Sequence, residues 1–406
     1  MAPEHPPPDL IQVNARPDIP SLRVEVVRSV AQVPAAGWNA LAGSTNPFVR
    51  HEFLAALEQT GCIGPGTGWE ACLVTLHDDA GLAAGAPAWI KSHSYGEFVF
   101  DFSWAQAYAR VGQPYYPKLV VAAPFTPATG PRLLVRPDLD RALIAPLLQR
   151  TLADLATDNQ LSSVHVLFPD EHDRDLLQRD GWLMRRDCQF HWTNHGYADF
   201  DAFLAGFTAD KRKKAKRERR RVAELGISFE TQLGSEIAPQ DLARVWDLHR
   251  DTFLRHGHEP YLTREFFDQA CRTCGDALLF KLARRNGRIV ATAIFFIGGD
   301  TLYGRYWGAS ADFHSLHFET CYHQGIEFCI ERGLRRFEPG TQGEHKVSRG
   351  FEPTLTWSSH YITDPRFRAA IGDYLRREAA SVDDYAAAVR AHIPYRDRRD
   401  AAGTAP

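Results

Sequence analysis

The stretch LLFKLARRNGRIVATAIFFIGGDTLYGRYWG, residues 278–308, predicts three consecutive antiparallel strands. The apolar, β-branched and aromatic runs cover 278–284, 288–297 and 301–308. Asn286-Gly287 separates the first two runs, and an Asn-Gly pair favours a hairpin because both turn positions need positive φ. Gly298, Gly299 and Asp300 mark the second turn. We therefore expect a β-meander here.

The residues after this meander predict a crossover helix, 315–332, and one more strand, 334–338. One helical face carries Phe318, Tyr322, Ile326, Cys329 and Ile330, and another carries Glu319, His323, Glu327 and Glu331. Gly333 is a helix-ending signal, and LRRFE follows it. Three antiparallel strands, a helix and a further strand resemble the core order of a GNAT acyltransferase.

The first half of the chain gives a rougher copy of this order. We expect strands over 69–76, 81–91, 119–123 and 162–168, helices over 138–157 and 170–181, and one long helix over 201–225. The predicted fold class is α/β (α+β), with tandem GNAT-like domains, each a mixed sheet flanked by helices. The predicted boundaries are a disordered arm 1–20, a domain 21–198, a basic linker helix 199–225, a domain 226–390 and a flexible tail 391–406.

Composition places the chain among globular proteins. Of its 406 residues, 44% are hydrophobic and 24% charged, and the net charge of −3 means that any site for a polyanion must be a local patch. The start, MAPEHPPPDL, lacks the basic and apolar regions of a signal peptide, and no apolar run is long enough to span a membrane. With seven cysteines read as reduced thiols, we expect a cytoplasmic protein.

The segment GTQGEHKVSRGF, 340–351, follows a predicted strand and combines glycines with charged side chains. Ligands of open α/β sheets bind beyond the carboxyl ends of strands, and glycines allow the backbone to approach them. Acyl transfer to an amine needs a base for the amine and a cation or backbone donor for the oxyanion. We predict Lys346, His345 and Glu338 as catalytic residues, and Arg349 and Glu344 as substrate contacts.

Residues outside this loop complete the predicted site. Strict alternation puts Tyr303 and Arg305 on one face of their strand and Tyr306 on the other. An arginine inside a strand needs an anionic partner, and if Glu338 is that partner, the base lies elsewhere. The predicted substrate contacts are Arg305, Tyr306, His317 at the start of the crossover helix, and Tyr116 and Lys118 of YYPKLVVAAPFTPATGPRLL, 115–134.

The segment KRKKAKRERRR, 211–221, has nine basic residues out of eleven. As a helix it is basic all round, and a polyanion would relieve the repulsion between its charges. The alternative is a solvated linker helix. The predicted phosphate or RNA contacts are Lys211, Arg212, Lys213, Lys214 and Arg217.

The string EPGTQGEHKVSRGF, 338–351, resembles the FemAB-like family of the GNAT superfamily, whose members are regarded as N-acyltransferases of peptidoglycan biosynthesis or recognition. LHFETCYHQGIE, 316–327, and residues 115–134 are similar to other signatures of that family, and the resemblance covers roughly 30–380. It implies tandem GNAT-like domains. The Fem aminoacyltransferases use an aminoacyl-tRNA donor and the amine of a peptidoglycan precursor, and they carry a Phe-Lys pair in the comparable loop. The pair here is His345-Lys346: the resemblance implies that Lys346 carries over by position, and His345 departs from the phenylalanine.

We therefore predict an N-acyltransferase, with aminoacyl transfer to a cell-wall precursor amine or a similar small-molecule or peptide acceptor as one form of it. No tightly bound cofactor and no metal are expected. The donor is aminoacyl-tRNA or acyl-CoA, although the Arg/Gln-x-x-Gly-x-Gly/Ala pattern of acetyl-CoA enzymes is found neither in the loop of 115–134 nor after Trp307. The alternatives are an acyl-CoA-dependent N-acetyltransferase and a non-catalytic GNAT scaffold that binds RNA or a cell-wall precursor.

Overall fold

The computed structural model describes residues 22–311, 313–341 and 343–396. The predicted arm, 1–20, and the tail beyond residue 396 lie outside these ranges. The chain divides into two compact units, unit 1 up to Arg185 with Trp357–Glu378, and unit 2 with Arg186–Thr356 and the residues from Ala379 onward. Within the described ranges, no helix combines the length and the apolar character needed to cross a membrane.

The described part of unit 1 contains strands of two sheets and five α-helices of its own. Its strands are β1 Arg23–Val27, β2 Trp69–Ala71, β3 Leu73–Asp78, β4 Gly81–Ala86, β5 Ala88–Lys91, β6 Lys118–Val121, β7 Leu134–Val135 and β8 Ser163–Leu167. Its helices are α1 Ala35–Ala42, α2 His51–Gln59, α3 Phe102–Arg110, α4 Arg141–Asp158 and α5 Glu171–Arg179. The apolar faces of α4 and of strands β3, β4, β6 and β8 form its core.

Two strands predicted in the first half are each divided in two. The run 69–76 becomes β2 and β3, and the run 81–91 becomes β4 and β5, because the ladder is interrupted at Cys72 and at Pro87. Proline has no backbone N–H to donate, so it ends the pairing of β4. As a result β3 and β4 join the sheet β1-β3-β4-β7, whereas β2 and β5 join β6 and β8 in the other sheet.

Unit 2 begins within strand β9 Leu183–Thr193 and contains the predicted meander. Its further elements are α6 Phe200–Ala205, α7 Ala209–Glu224, β10 Ile227–Leu233, α8 Pro239–Arg255, α9 Arg264–Thr273, β11 Leu278–Arg285, β12 Arg288–Gly298, β13 Thr301–Ala309, α10 Leu316–Phe318, α11 Gln324–Arg332 and β14 Arg336–Glu338. Strand β15 Glu352–Ile362 and helix α12 Pro365–Arg390 follow. The strand order in unit 2 is β10-β11-β12-β13-β14-β9.

The predicted meander, crossover helix and final strand are confirmed. Strands β11, β12 and β13 pair antiparallel, and β14 pairs parallel to β13 with Tyr303 opposite Glu338. The crossover passes from α10 through a π-helical turn, Glu319–His323, into α11. Gly325 lies where an added Cβ would be 2.5 Å from the Phe337 ring, so the helix packs directly on β14.

The strict alternation predicted for β13 is interrupted by a bulge. Phe295 pairs with Gly304 and Ile294 pairs with Tyr306, so Arg305 is the extra residue of the bulge in β13. A bulge inserts one residue and reverses the facing of the side chains that follow it. The expectation that Tyr303 and Arg305 share a face through simple alternation therefore does not apply.

The long helix predicted over 201–225 is instead two helices, α6 and α7, separated at residues 206–208. Helix α7 is also not basic all round, because Ala215, Glu218 and Val222 form a narrow buried face at helical spacing. The predicted linker helix is thus packed as part of unit 2.

The ends of the predicted second domain also differ from the structure. Trp357–Glu378 belongs to unit 1, although the sequence placed 226–390 in one domain. Residues 391–396, the start of the predicted flexible tail, pack in unit 2, where the Tyr395 hydroxyl donates to the Gly350 carbonyl oxygen at 2.7 Å.

Candidate active site around Lys346

A glycine-framed loop after β14 carries the candidate lysine. Gly340, Gly343 and Gly350 have φ values of 93°, 111° and 93°, a region that favours glycine. Between the last two, Glu344–Arg349 forms a short 3₁₀ helix. The loop glycines singled out from the sequence therefore hold backbone conformations that other residues rarely adopt.

Lys346 lies in the interior of unit 2, with its side chain only 2% exposed. Its Nζ donates to the Gly340 carbonyl oxygen at 2.7 Å. Burial lowers the pKa of this ammonium to about 7, and the Cys321 thiol opposes the shift weakly. A lysine with this pKa exchanges its proton near neutral pH, which suits a group that stabilises or protonates a developing anion.

Aromatic and imidazole rings surround the loop beside Lys346. His345 Nε2 lies 2.9 Å from the Tyr322 hydroxyl, and the His317 ring centre lies 6.0 Å from that of His345. Burial, followed by the charge of Lys346 and that of Arg349, lowers the pKa of His345. Burial also lowers the pKa of His317, to about 4, so this imidazole is neutral at physiological pH.

A small pocket of about 120 Å³ opens at the bulge of β13. It is lined by Ala293, Ile294, Phe295, Gly304, Arg305, Tyr306, Trp307, His317, Cys321, Tyr322 and Pro339. The structure thus brings the predicted contacts Arg305, Tyr306 and His317 to one cavity. Cys321 and Tyr322 were not among the predicted contacts, although the helical spacing from His317 to Cys321 places those two on one face.

Glu338 lies at the end of β14, directly before this loop. Its side chain is 4% exposed, and its Oε1 is 3.8 Å from Nη1 of Arg336. The Arg305 guanidinium lies 5.3 Å from the centre of the Tyr306 ring and hydrogen-bonds that side chain. Glu338 and His345 are both close to Lys346 in sequence, and both stay candidates for the base.

A larger cleft of about 700 Å³ lies between α7 and the loop. Its lining is mostly cationic or imidazole: Lys214, Arg217, Glu218, Arg221, His314, Ser315, Phe318, His345, Ser348 and Arg349. Lys214, Arg217 and Arg221 follow the spacing i, i+3, i+7 and so share one face of α7. The cleft therefore presents a focused positive surface to an anion.

Two of the five predicted phosphate contacts, Lys214 and Arg217, line the cleft, and Lys211, Arg212 and Lys213 do not. Arg212 instead donates to the Phe207 carbonyl oxygen at 3.4 Å. Arg221 was missed, because the sequence alone did not say which face of the helix is open. The buried face through Glu218 fixes that orientation.

The predicted contacts Arg349 and Glu344 differ in their positions. Arg349 is 4% exposed, lines the cleft, and places its guanidinium carbon 3.5 Å from the centre of the Phe318 ring. Glu344 is exposed and accepts a hydrogen bond from the Tyr385 hydroxyl at 2.8 Å.

Tyr116 and Lys118 belong to unit 1 and to a buried polar network there. Lys118 is fully buried, and its Nζ donates to Glu97 at 2.8 Å, to Asp101 at 2.5 Å and to Ser94 at 2.9 Å. The Tyr116 hydroxyl lies 2.8 Å from the same serine hydroxyl. With three acceptors around its ammonium, Lys118 has a structural role in this interior.

Comparisons with known proteins agree with this architecture. A crystal structure of FemX is similar with a TM-score of 0.53 and 10% identity, over 84% of this chain and 99% of that one. The C-terminal domain (DUF2156) of a protein described as a lysylphosphatidylglycerol synthetase, from Agrobacterium fabrum, is similar with a TM-score of 0.52 and 10% identity, over 84% and 95%. At this identity the two likenesses concern the fold. No curated protein sequence matches the chain.

The family described as FemAB-like, peptidoglycan biosynthesis/recognition, matches residues 29–397. This range includes both units, the loop with Lys346 and the basic helix α7. The chain therefore belongs to the FemAB-like family.

Proposed function

We propose that the protein is an N-acyltransferase whose oxyanion-stabilising residue is Lys346. The observation that carries this proposal is the setting of Lys346, which is 2% exposed and donates to a backbone carbonyl oxygen at 2.7 Å. Lys346 follows β14, the strand next to the bulged β13. Burying a cation lowers the stability of the fold, and such a cation is expected at a site where it stabilises a negative charge that forms during the reaction.

In this reaction the acceptor amine attacks the carbonyl carbon of an activated ester or thioester. The new C–N bond forms, the carbonyl oxygen becomes an oxyanion, and the leaving alcohol or thiol departs when that intermediate collapses. The ammonium of Lys346 stabilises the oxyanion. Either His345 or Glu338 takes the amine proton, and the cleft-lining histidine already has a hydrogen-bond partner in Tyr322 that fixes its ring.

The finer proposal is aminoacyl transfer from aminoacyl-tRNA to an amine of a cell-wall precursor in the cytoplasm. The family description, peptidoglycan biosynthesis/recognition, supports the acceptor. The name of one structural relative, a lysylphosphatidylglycerol synthetase, supports aminoacyl transfer as a chemistry of this fold. The positive cleft lined by Lys214, Arg217 and Arg221 supports a donor rich in phosphate.

Lys346→Ala, assayed with charged tRNA and with acyl-CoA donors against a panel of amine acceptors, tests the proposal. We expect kcat to fall by about 100-fold or more, as for the loss of an oxyanion donor, while donor affinity changes little. Arg335→Ala removes an exposed cation from the same unit and serves as the control, with activity unchanged. Activity retained in the lysine variant would remove Lys346 from the mechanism.

A second candidate function, RNA binding without catalysis, is favoured by the same cleft. It predicts that neutralising Lys214, Arg217 and Arg221 together abolishes RNA binding and reduces its salt dependence. The matched control neutralises Lys213, Lys216 and Arg220, which have the same spacing on the same helix but do not line the cleft. Equal loss in both triple variants would show that general charge, and not the cleft, binds RNA. Turnover with any donor would exclude the non-catalytic reading.

A further inference from the structure

An acidic residue is buried inside the most basic segment of the chain. Glu218 is the one acid of KRKKAKRERRR, 211–221, and it is 7% exposed. Burying a carboxylate is unfavourable unless it is paired and hydrogen-bonded. The partner of Glu218 therefore shows what this position stabilises.

That partner is Arg349, at the end of the loop that carries Lys346. Nη2 of Arg349 donates to Oε1 of Glu218 at 2.8 Å, and Nη1 of the same guanidinium donates to the His345 carbonyl oxygen at 2.6 Å. That carbonyl belongs to the peptide bond joining His345 to Lys346. Two hydrogen bonds thus connect helix α7 to the backbone of the candidate catalytic lysine.

The surroundings of the pair hold it in one geometry. The Phe318 ring lies under the guanidinium at 3.5 Å from its carbon, and His323 Nε2 lies 3.5 Å from the other carboxylate oxygen of Glu218. Lys214, one turn earlier on α7, adds a positive charge that acts on Glu218. Glu218 and Arg349 also both line the cleft, so an anion bound there meets this pair directly.

We propose that Glu218 is a positioning residue, which acts through Arg349 to hold the His345–Lys346 peptide and so sets the position of the Lys346 ammonium. The inference rests on the proposed function for Lys346. Glu218 then has two opposite effects on function. Its negative charge weakens the binding of anions in the cleft, and its hydrogen bond to Arg349 keeps Lys346 in place.

The opposed effects give a signature that a merely structural residue would not produce. Glu218→Gln keeps the shape of the side chain and removes the charge. We expect RNA oligonucleotides and inorganic pyrophosphate to bind about twofold tighter or more, because a repelling charge leaves the cleft. We expect kcat to fall by about tenfold to 100-fold, since small misplacements of catalytic groups have effects of this size.

The position of Lys346 is followed without a substrate by trace acetylation between pH 5 and 10, with the modified peptide quantified by mass spectrometry. Glu218→Gln should shift the pH midpoint for Lys346 by about half a unit or more, because its burial and hydrogen bonding change. Glu224→Gln is the matched control: it removes one exposed negative charge from α7, whose partner is Arg220 at 3.5 Å, and the midpoint should stay.

Arg349→Lys provides an independent test if Glu218→Gln does not fold. It keeps a cation beside Glu218 but cannot bridge to the His345 carbonyl with a planar fork, and the same midpoint shift is expected. An identical Lys346 titration in Glu218→Gln, Arg349→Lys and Glu224→Gln would overturn the proposal. Since this readout needs no acyl transfer, it is separate from the result of Lys346→Ala on turnover.

Discussion

Two of the buried lysines, Lys118 in unit 1 and Lys346 in unit 2, show how little burial alone says about a charge. Lys118 of unit 1 is 0% exposed and Lys346 of unit 2 is 2% exposed. The first donates to two carboxylates and a hydroxyl. The second donates to a backbone carbonyl oxygen, and within the described ranges no carboxylate lies within ion-pair distance of its Nζ.

The different partners move the two pKa values in opposite directions. Burial acts to lower the pKa of Lys118, but the charges and hydrogen bonds of Glu97 and Asp101 outweigh it and raise the pKa above its usual value. Burial of Lys346 is not offset in this way, and its pKa falls to about 7. Lys118 is therefore part of a buried ion-paired network, whereas Lys346 exchanges its proton near neutral pH.

The largest effect should follow from removing the paired lysine. Lys118→Met leaves Glu97 and Asp101 buried without their cation, and breaking such a pair costs about 3–5 kcal/mol. We expect a correspondingly lower free energy of unfolding in urea, with unit 1 losing structure first. Adding Glu97→Gln and Asp101→Asn should recover part of the loss, because the uncompensated charges disappear.

The control for this measurement is an exposed lysine. Lys216 pairs with Asp201 at 2.8 Å, and both side chains are more than half exposed, at 55% and 77%. Lys216→Met should change stability by less than about 1 kcal/mol. A similarly small effect in Lys118→Met would mean that the buried network of unit 1 contributes nothing as a charge cluster.

Replacing Lys346 should raise the free energy of unfolding, where replacing Lys118 lowers it, and the size of the change should depend on pH. The folded-state pKa of Lys346, about 7, lies below its ordinary value of 10.5, so between these values the unfolded chain binds more protons and stability rises with pH. Lys346→Met removes this dependence. We expect the variant to be more stable than the wild type at pH 6, with the difference shrinking between pH 7 and 10.5 by up to ~1.4 kcal/mol per pH unit.

Urea unfolding at pH 6, 8 and 10 measures this difference, and turnover in the same variant should be lost. A gain or loss in stability that is the same at all three values would show that Lys346 titrates normally. In that case the different effects of replacing Lys118 and Lys346 on stability would come from side-chain packing and not from their pKa values.

The sequence predicted the parts of unit 2 that local patterns determine. Asn286-Gly287 and the alternating strands around it identify a hairpin from neighbouring residues alone, and the helical spacing of Tyr322, Ile326 and Cys329 identifies the crossover helix. The bulge at Arg305 was not predictable, because a bulge depends on the register with the neighbouring strand. The cleft-facing side of α7 likewise depends on what packs against the helix.

The network around Lys118 shows more clearly what the sequence alone does not predict. Its carboxylates come from residues 97 and 101, before and at the start of α3, while the lysine begins β6. Nothing in the spacing of these residues indicates that they meet, since the meeting is a product of how the strands and the loop fold back in unit 1. The sequence therefore predicted Lys118 as a ligand contact, and the structure shows it paired in the interior.

A third buried basic residue, His249 of α8, tests whether burial alone can set a pKa. Replacing it should change stability less than replacing either lysine. The imidazole is 0% exposed, neither ring nitrogen has a hydrogen-bond partner among the described residues, and burial lowers its pKa to about 3. Below pH 6.5 the imidazole of His249 binds a proton in the unfolded chain but not in the folded chain, so His249 lowers the free energy of unfolding as pH falls.

His249→Phe should therefore stabilise the protein by about 1.4 kcal/mol at pH 5.5 relative to its effect at pH 8. The ring environment favours this exchange, since the imidazole centre lies 4.8 Å from the rings of Phe253 and Tyr306. Thermal unfolding at the two pH values measures the difference. If it is absent, a charge on His249 is compensated in the fold, and burial without a partner is then insufficient to explain Lys346 as well.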